Sequence, residues 1–226
     1  MSTYLLLNIL IILVPLLLSF ESKIKYYTKY LNLISSIFLV ASVFIIWDSY
    51  AAIRGDWYFN EKFVLSYRIF KLPVEEILFF ITVPYSILFL YETAKIYIKN
   101  TEIIYGKNFY YLLSFLFIVA SLFFISKYYT FTVLIFTGIS FLFLNTFTPQ
   151  LLRSKIFWQL IVFSYIPFFV FNYLFTSLPI IEYGATAIVG IRIITIPIED
   201  FFYSFSLLSL YISLYELSFK VWKKKQ

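Results

Sequence analysis

The sequence predicts an all-α integral membrane protein of seven transmembrane helices, built from a duplicated three-helix unit. Three observations predict it: a composition too apolar for a water-soluble surface, seven hydrophobic runs of spanning length, and an internal repeat at an offset of 124 residues.

Of the 226 residues, 62% are hydrophobic and 13% are charged. A soluble domain carries about 25% charged residues, so this chain lacks the polar surface to cover a globule and must face lipid. Neither Cys nor His is present, which removes disulfides, thiolate metal sites and Ser-His-Asp arrangements. Acid–base chemistry is left to Asp, Glu, Tyr and Lys, with no metal and no cofactor expected. The five glycines form no dinucleotide or phosphate-binding spacing. The net charge of +6 arises from Lys and Arg placed between apolar runs. That is the pattern of membrane topology rather than of nucleic-acid binding.

The seven runs are residues 3–20, 31–53, 73–98, 109–126, 130–147, 156–175 and 197–219, against the roughly 20 apolar residues that a spanning helix needs. The first lacks a basic flank and a small-residue cleavage site, so it is expected as a retained helix. The fourth and fifth are divided at Lys127-Tyr128-Tyr129-Thr130; together they are far too long for one span. The runs are continuous, without the dyad alternation of an outer-membrane barrel.

Twelve of the eighteen basic residues fall on one side: Lys23, Lys25, Lys29, Lys95, Lys99, Lys107, Arg153, Lys155, Lys220, Lys223, Lys224 and Lys225. Six fall on the other: Arg54, Lys62, Arg68, Lys71, Lys127 and Arg192. The positive-inside rule then puts the N-terminus outside and the C-terminus in the cytoplasm of a cell-membrane protein, with Lys223-Lys224-Lys225 as an anchor.

The repeat carries Arg68-Ile69-Phe70-Lys71-Leu72-Pro73-Val74-Glu75-Glu76 onto Arg192-Ile193-Ile194-Thr195-Ile196-Pro197-Ile198-Glu199-Asp200. The same offset carries Leu90-Tyr91-Glu92 onto Leu214-Tyr215-Glu216, and Asp48 onto Asn172. Spans one to three thus correspond to spans five to seven. Expected units are residues 1–108 and 127–226, with the fourth span, 109–126, as linker. An even number of spans separates equivalent helices, so the units run parallel, with a pseudo-two-fold axis along the membrane normal.

Pro73 and Pro197 are expected to open helices, a position that suits proline. Glu75, Glu76, Glu199 and Asp200 then lie in first helical turns. One reading is compensation of the helix dipole. The other is chemistry. The acids run straight into Ile77-Leu78-Phe79-Phe80 and Phe201-Phe202-Tyr203-Ser204-Phe205, and ionisable groups at the hydrocarbon boundary are costly and usually functional. Adjacent carboxyls withdrawn from water do not both ionise cheaply, and a carboxylic acid kept neutral can donate a proton. Arg68 and Arg192 either pair with these acids or form plain interfacial ion pairs. Asp48, beside Trp47 in a membrane helix, reads as functional; Asn172 reads as structural or substrate-orienting. Glu92 and Glu216 lie about 25 Å further along their helices and are expected to anchor to Lys95, Lys99 or Lys220. Mid-span aromatics such as Phe79, Phe80, Phe201 and Phe202 either fill space or stabilise a cation.

Pro73-Val74-Glu75-Glu76, preceded by Trp47-Asp48 and Gly55-Asp56-Trp57-Tyr58-Phe59, resembles one half of the heterodimeric lycopene cyclases of bacteria. The segment Asn172 to Pro179, with Tyr183 and Gly190 to Phe201, resembles the other half. The chain is similar, over nearly its full length, to the fused archaeal and fungal forms without the fungal phytoene synthase extension. One departure is Ser66, where the second copy has Gly190. The resemblance implies acid-catalysed, non-redox closure of the ψ-ends of lycopene to β-rings. For that chemistry Glu75 and Glu199 are expected as the acid–base carboxylates, supported by Glu76, Asp200, Arg68 and Arg192. The resemblance also implies an acyclic carotenoid substrate taken from the lipid bilayer, and contact with other carotenoid enzymes. A related carotenoid hydratase, a proton-coupled transporter and a non-enzymatic scaffold are the alternative readings.

Overall fold

A computed structural model describes residues 1–223. Lys224 and Lys225 of the expected C-terminal anchor lie outside the described residues. The described residues form eight α-helices: α1 (Thr3–Leu18), α2 (Tyr30–Arg54), α3 (Val74–Tyr97), α4 (Lys107–Ser121), α5 (Tyr128–Phe147), a short α6 (Pro149–Arg153), α7 (Lys155–Ser177) and α8 (Ile198–Lys223). Among the described residues, five segments are long and apolar enough to cross a membrane, those containing α2, α3, α4, α5 and α7. The α1 helix is apolar but has 16 residues. The α8 helix has 26 residues, and its five serines between Ser204 and Ser218 dilute its hydropathy. That dilution follows from position: α8 packs on α2, α3, α5 and α7, and a central helix need not be apolar all round to meet lipid.

The helix limits have local causes. Ser2 caps α1, its hydroxyl accepting from Leu5 N at 3.1 Å. Ser154 does the same for α7 through Phe157 N. Gly55 ends α2 at φ 84°, the left-handed conformation that favours glycine at a helix end. Three helices contain an interior proline, which deprives the carbonyl four residues earlier of its partner. Two of those carbonyls are satisfied from neighbouring helices, as an apolar surround demands. Pro15 frees Ile11 O, which accepts from the Ser86 hydroxyl at 2.9 Å. Pro84 frees Phe80 O, which accepts from the Tyr211 hydroxyl at 3.1 Å.

One end of the bundle, the hairpin end, carries small strands that the apolar runs did not predict. Strand β1 (Trp57–Phe59) pairs antiparallel with β4 (Ile181–Tyr183), Tyr58 opposite Glu182. Those two residues are themselves 124 apart, so the pairing is symmetric about equivalent positions. Strands β2 (Arg68–Ile69) and β3 (Leu72–Pro73) form a two-residue hairpin matched by β5 (Arg192–Ile193) and β6 (Ile196–Pro197), in the same register. Pro73 and Pro197 therefore end these hairpins, one residue before their helices, rather than opening the helices. The turns differ: Phe70 and Lys71 both have positive φ, whereas the second hairpin has it at Ile194. Gly190 is at φ 92°, so the Ser66/Gly190 difference coincides with a local difference in backbone. At β1–β4 a Cβ on Gly184 would lie 2.5 Å from Gly55 O, so this close approach requires glycine.

At the opposite, lysine end, Glu92 is buried and binds both Lys29 and Lys95, and Lys95 also binds Glu216 at 2.9 Å. The expected anchoring of both glutamates holds through Lys95, with Lys29 in place of Lys99 and Lys220.

Candidate active site

A cavity of about 380 Å³ runs inside the bundle from the hairpin end. It is walled by α1, α3, α7 and α8, and its lining is overwhelmingly apolar. From Glu76 to Leu90, both on its wall, the rise along α3 is about 21 Å at roughly 1.5 Å per residue. Three carboxyls meet it at one end: Asp48, Glu76 and Asp200. All three are buried, at 3%, 7% and 3% exposure, so they are held away from bulk water.

The helix starts deliver two of them. Because Val74 and Ile198 begin α3 and α8, Glu76 and Asp200 occupy first turns beside the hairpins. Asp48 arrives from the last turns of α2. Its carboxyl lies within hydrogen-bonding reach of the Glu76 carboxyl, and it faces the Trp57 indole. Two carboxyl groups can share a hydrogen bond only if one carries a proton, since the ionised group only accepts. Glu76 Oε2 also accepts from the Tyr4 hydroxyl at 2.5 Å. Asp200 accepts from two phenols, Tyr129 and Tyr183, each at 2.7 Å. Tyr183, on β4, has its phenol pushed well above the usual range by burial and then by the Asp200 charge, so it stays a hydrogen-bond donor.

The first acids of the two pairs play a different part. Glu75 Oε1 accepts from Leu65 N at 2.7 Å and from the Ser2 hydroxyl. Glu199 Oε1 accepts from Val189 N at 2.7 Å and from the Thr130 hydroxyl at 2.6 Å. Each therefore ties the loop before its helix to the neighbouring α1 or α5. Neither lines the cavity. Arg68 and Arg192 do not pair with the acids among the described residues, a correction to that expectation. Both are exposed; Arg192 donates to Thr195 O at 2.6 Å and lies over the Tyr183 ring. Two-residue hairpin turns leave them on the solvent side. The arginine–acid pair at this end is Arg54 with Asp56, joined by Nε at 2.9 and 3.1 Å.

The expected aromatic wall also moves. Phe79 lines the cavity. Phe80 is fully buried against Phe44, Phe201 packs on Phe168 and Phe169, and Phe202 packs on Phe117. A helix turns about 100° per residue, so adjacent positions face different neighbours. The rings beside the acids are Tyr4, Trp57, Tyr129, Tyr183 and Tyr203. Trp47 sits behind them, 5.4 Å from Trp57 and 5.6 Å from Tyr203 between ring centres. Asn172 reaches the cavity wall and donates to Phe168 O at 3.0 Å. Trp57 and Tyr183 entered the sequence reading only as residues that carry the family resemblance, without a role, and Tyr4, Tyr129 and Tyr203 were not singled out as site residues; their signal was tyrosine and tryptophan in or beside apolar runs, which an interfacial belt also produces.

The two halves supply equivalent contacts. Leu65 N on Glu75 matches Val189 N on Glu199, and Tyr4 N on Phe63 O matches Tyr129 N on Ala187 O. Comparison with known proteins follows the same division. No curated protein and no solved structure matched the chain. A family model described as lycopene cyclase matches residues 1–94 and 126–218. The match takes in all three cavity carboxyls and omits the stretch around α4, and on it the chain belongs to the lycopene cyclase family.

Proposed function

We propose that this carotenoid cyclase closes the ψ-end groups of lycopene to β-rings by proton addition and removal, without redox change, using Asp48, Glu76 and Asp200. The observation that carries this reading is the meeting of three buried carboxyls at one end of an otherwise apolar, aromatic-walled cavity. The proton between Asp48 and Glu76 is delivered to the terminal alkene region, and a tertiary cation forms. The neighbouring double bond attacks that cation and closes the six-membered ring. A carboxylate, Asp200 in this reading, removes a ring proton. One proton is gained and one lost, so the product is an isomer of the substrate. A general acid or base of this kind contributes roughly 10²–10⁴-fold to a rate.

Trp57, Tyr129 and Tyr203 line the acid-bearing end of the cavity, and a ring face turned to the developing positive charge is worth about 0.5–2 kcal/mol per contact. Burial keeps water from capturing the cation, which favours ring closure over formation of an alcohol. That distinguishes the reading from a hydratase. A proton-coupled transporter remains the other reading of buried acids, but the large apolar lining favours an oily substrate over an ion.

The architecture that goes with this function is seven spans, with α1 and α8 completing the five long apolar helices. Residues 1–108 and 127–226 form two parallel copies about an axis along the membrane normal, and α4 restores their direction. The balance of basic residues puts the hairpin end outside and the lysine end in the cytoplasm.

Expression in lycopene-accumulating cells, followed by pigment chromatography, tests the function. Cyclic carotenes are expected. A hydroxylated product would turn the assignment to a hydratase, and unchanged lycopene would remove the enzymatic reading.

A further inference from the structure

The two halves are alike in backbone contacts but not in what fills the seams between them. Under the repeat, α1, α2 and α3 correspond to α5, α7 and α8. The seam between α5 and α2 therefore corresponds to the seam between α1 and α7. In neither seam do the two helices pack along their length, so side chains decide whether it is filled.

The α5–α2 seam is filled. Phe136 lies 5.0 Å from Phe44 and 5.2 Å from Trp47 between ring centres. Phe44 is 1% exposed and is closed behind by Phe80 and Tyr211. The α1–α7 seam has the opposite character. Tyr4 and Tyr129 occupy equivalent places on the acids and on the loops, so Phe136 corresponds to Ile11, a smaller side chain. Phe44 corresponds to Phe168, which packs on Phe201 at 4.9 Å and lines the cavity, with no ring from α1 stacked against it among the described residues. The helices touch at the hairpin end, where Tyr4 and Phe175 meet at 4.9 Å. Beyond that contact the cavity wall itself faces outward: Leu10 and Val14 both line the cavity and are 50% and 58% exposed.

We infer that substrate reaches the cavity sideways from the bilayer, through the cleft between α1 and α7, and that the cleft is occupied by the polyene tail of the bound carotenoid. This rests on the cyclase reading of the cavity. Three features fit that occupant. The cleft is continuous with the acid-bearing cavity, its lips are apolar at mid-helix depth, and its hairpin end is closed by the Tyr4–Phe175 contact. A cavity of about 380 Å³ is at the lower end of pockets for drug-sized ligands, so a forty-carbon chain extends beyond it. With the equivalent seam filled, one end group is held at a time. A substrate cyclised at both ends must be released and bound again in the reverse sense.

The test places bulk in the cleft without touching the acids. Leu10→Trp and Val14→Trp are compared with Leu13→Trp, which changes an exposed α1 residue off the cavity wall, in proteoliposomes carrying lycopene in the bilayer. For both lip variants the apparent KM is expected to rise roughly tenfold, the effect of about 1.4 kcal/mol of lost access or overpacking, while Leu13→Trp stays at the wild-type value. Unchanged KM in both lip variants, or an equal rise in Leu13→Trp, overturns the lateral route. Absence of turnover in the unaltered protein would instead refute the cyclase reading, so the two failures are separable. As a second measurement, wild-type protein loaded with labelled lycopene is chased with excess unlabelled lycopene. Label is expected to stop at the monocyclic carotene; label passing undiluted into the bicyclic carotene would overturn one-end-at-a-time binding.

Discussion

The sharpest test of the site separates the adjacent acids Glu75 and Glu76, which the sequence alone cannot rank. In Glu76→Gln the amide oxygen still accepts from Tyr4, whose hydroxyl donates at 2.5 Å, so packing is kept. The amide cannot pass a proton to an alkene or share one with Asp48. Loss of a general acid removes roughly 10²–10⁴-fold, equivalent to about 2.7–5.4 kcal/mol at 1.36 kcal/mol per decade. In Glu75→Gln the amide oxygen keeps both bonds, from Leu65 N and Ser2. Its NH₂ then fills the place of Oε2, which has no hydrogen-bond partner among the described residues. A buried donor left unmade costs about 1–3 kcal/mol of stability. The expected outcome is a split. Glu76→Gln retains wild-type thermal stability and loses turnover by at least about a hundredfold, while Glu75→Gln melts lower but turns over per folded molecule within about threefold of wild type. The assay is initial-rate carotene formation in proteoliposomes, normalised to folded protein by size-exclusion chromatography. Full turnover by Glu76→Gln, with loss in stably folded Glu75→Gln, would refute the assignment and return the chemistry to the first acid of each pair.

Two further outcomes probe the walls of the site and the joint between the halves. Tyr203→Leu keeps an apolar wall but removes a ring beside the acids; a loss of roughly threefold to thirtyfold in kcat with little change in KM is expected from about 0.5–2 kcal/mol of cation stabilisation, measured in the same proteoliposome assay. Gly184→Ala drives a Cβ to 2.5 Å from Gly55 O, and overpacking of this kind costs about 1–3 kcal/mol, so a lower melting temperature and weakened β1–β4 pairing are expected by thermal denaturation and hydrogen exchange.

The helical architecture was legible because lipid imposes it locally. A segment crossing hydrocarbon must satisfy its own backbone, so the limits of α2, α3, α5 and α7 fall within a few residues of the apolar runs. The repeat likewise announced the twin hairpins as sequence, through Arg68 to Glu76 and Arg192 to Asp200. It did not announce them as strands, because two- and three-residue pairings are shorter than any periodicity. Nor could it assign Arg68 and Arg192: proximity in sequence suggested ion pairs, and the hairpin turns direct both away from the acids.

Composition and spacing determined that this chain is apolar, helical and repeated, and that carboxyls are its available proton carriers. Which carboxyl meets the cavity was decided by tertiary packing. Glu75 and Glu76 are neighbours in the chain, yet one helical step turns the first toward the Leu65 loop and the second toward Asp48 and open space. The same holds for the two seams, whose parent sequences are repeats. Side chains drawn from both copies, Phe136 and Phe44 on one side and Ile11 and Phe168 on the other, settle which is filled. Contacts between different helices, such as that of Phe136 with Phe44 across 92 positions of chain, set that outcome, and no local pattern encodes them.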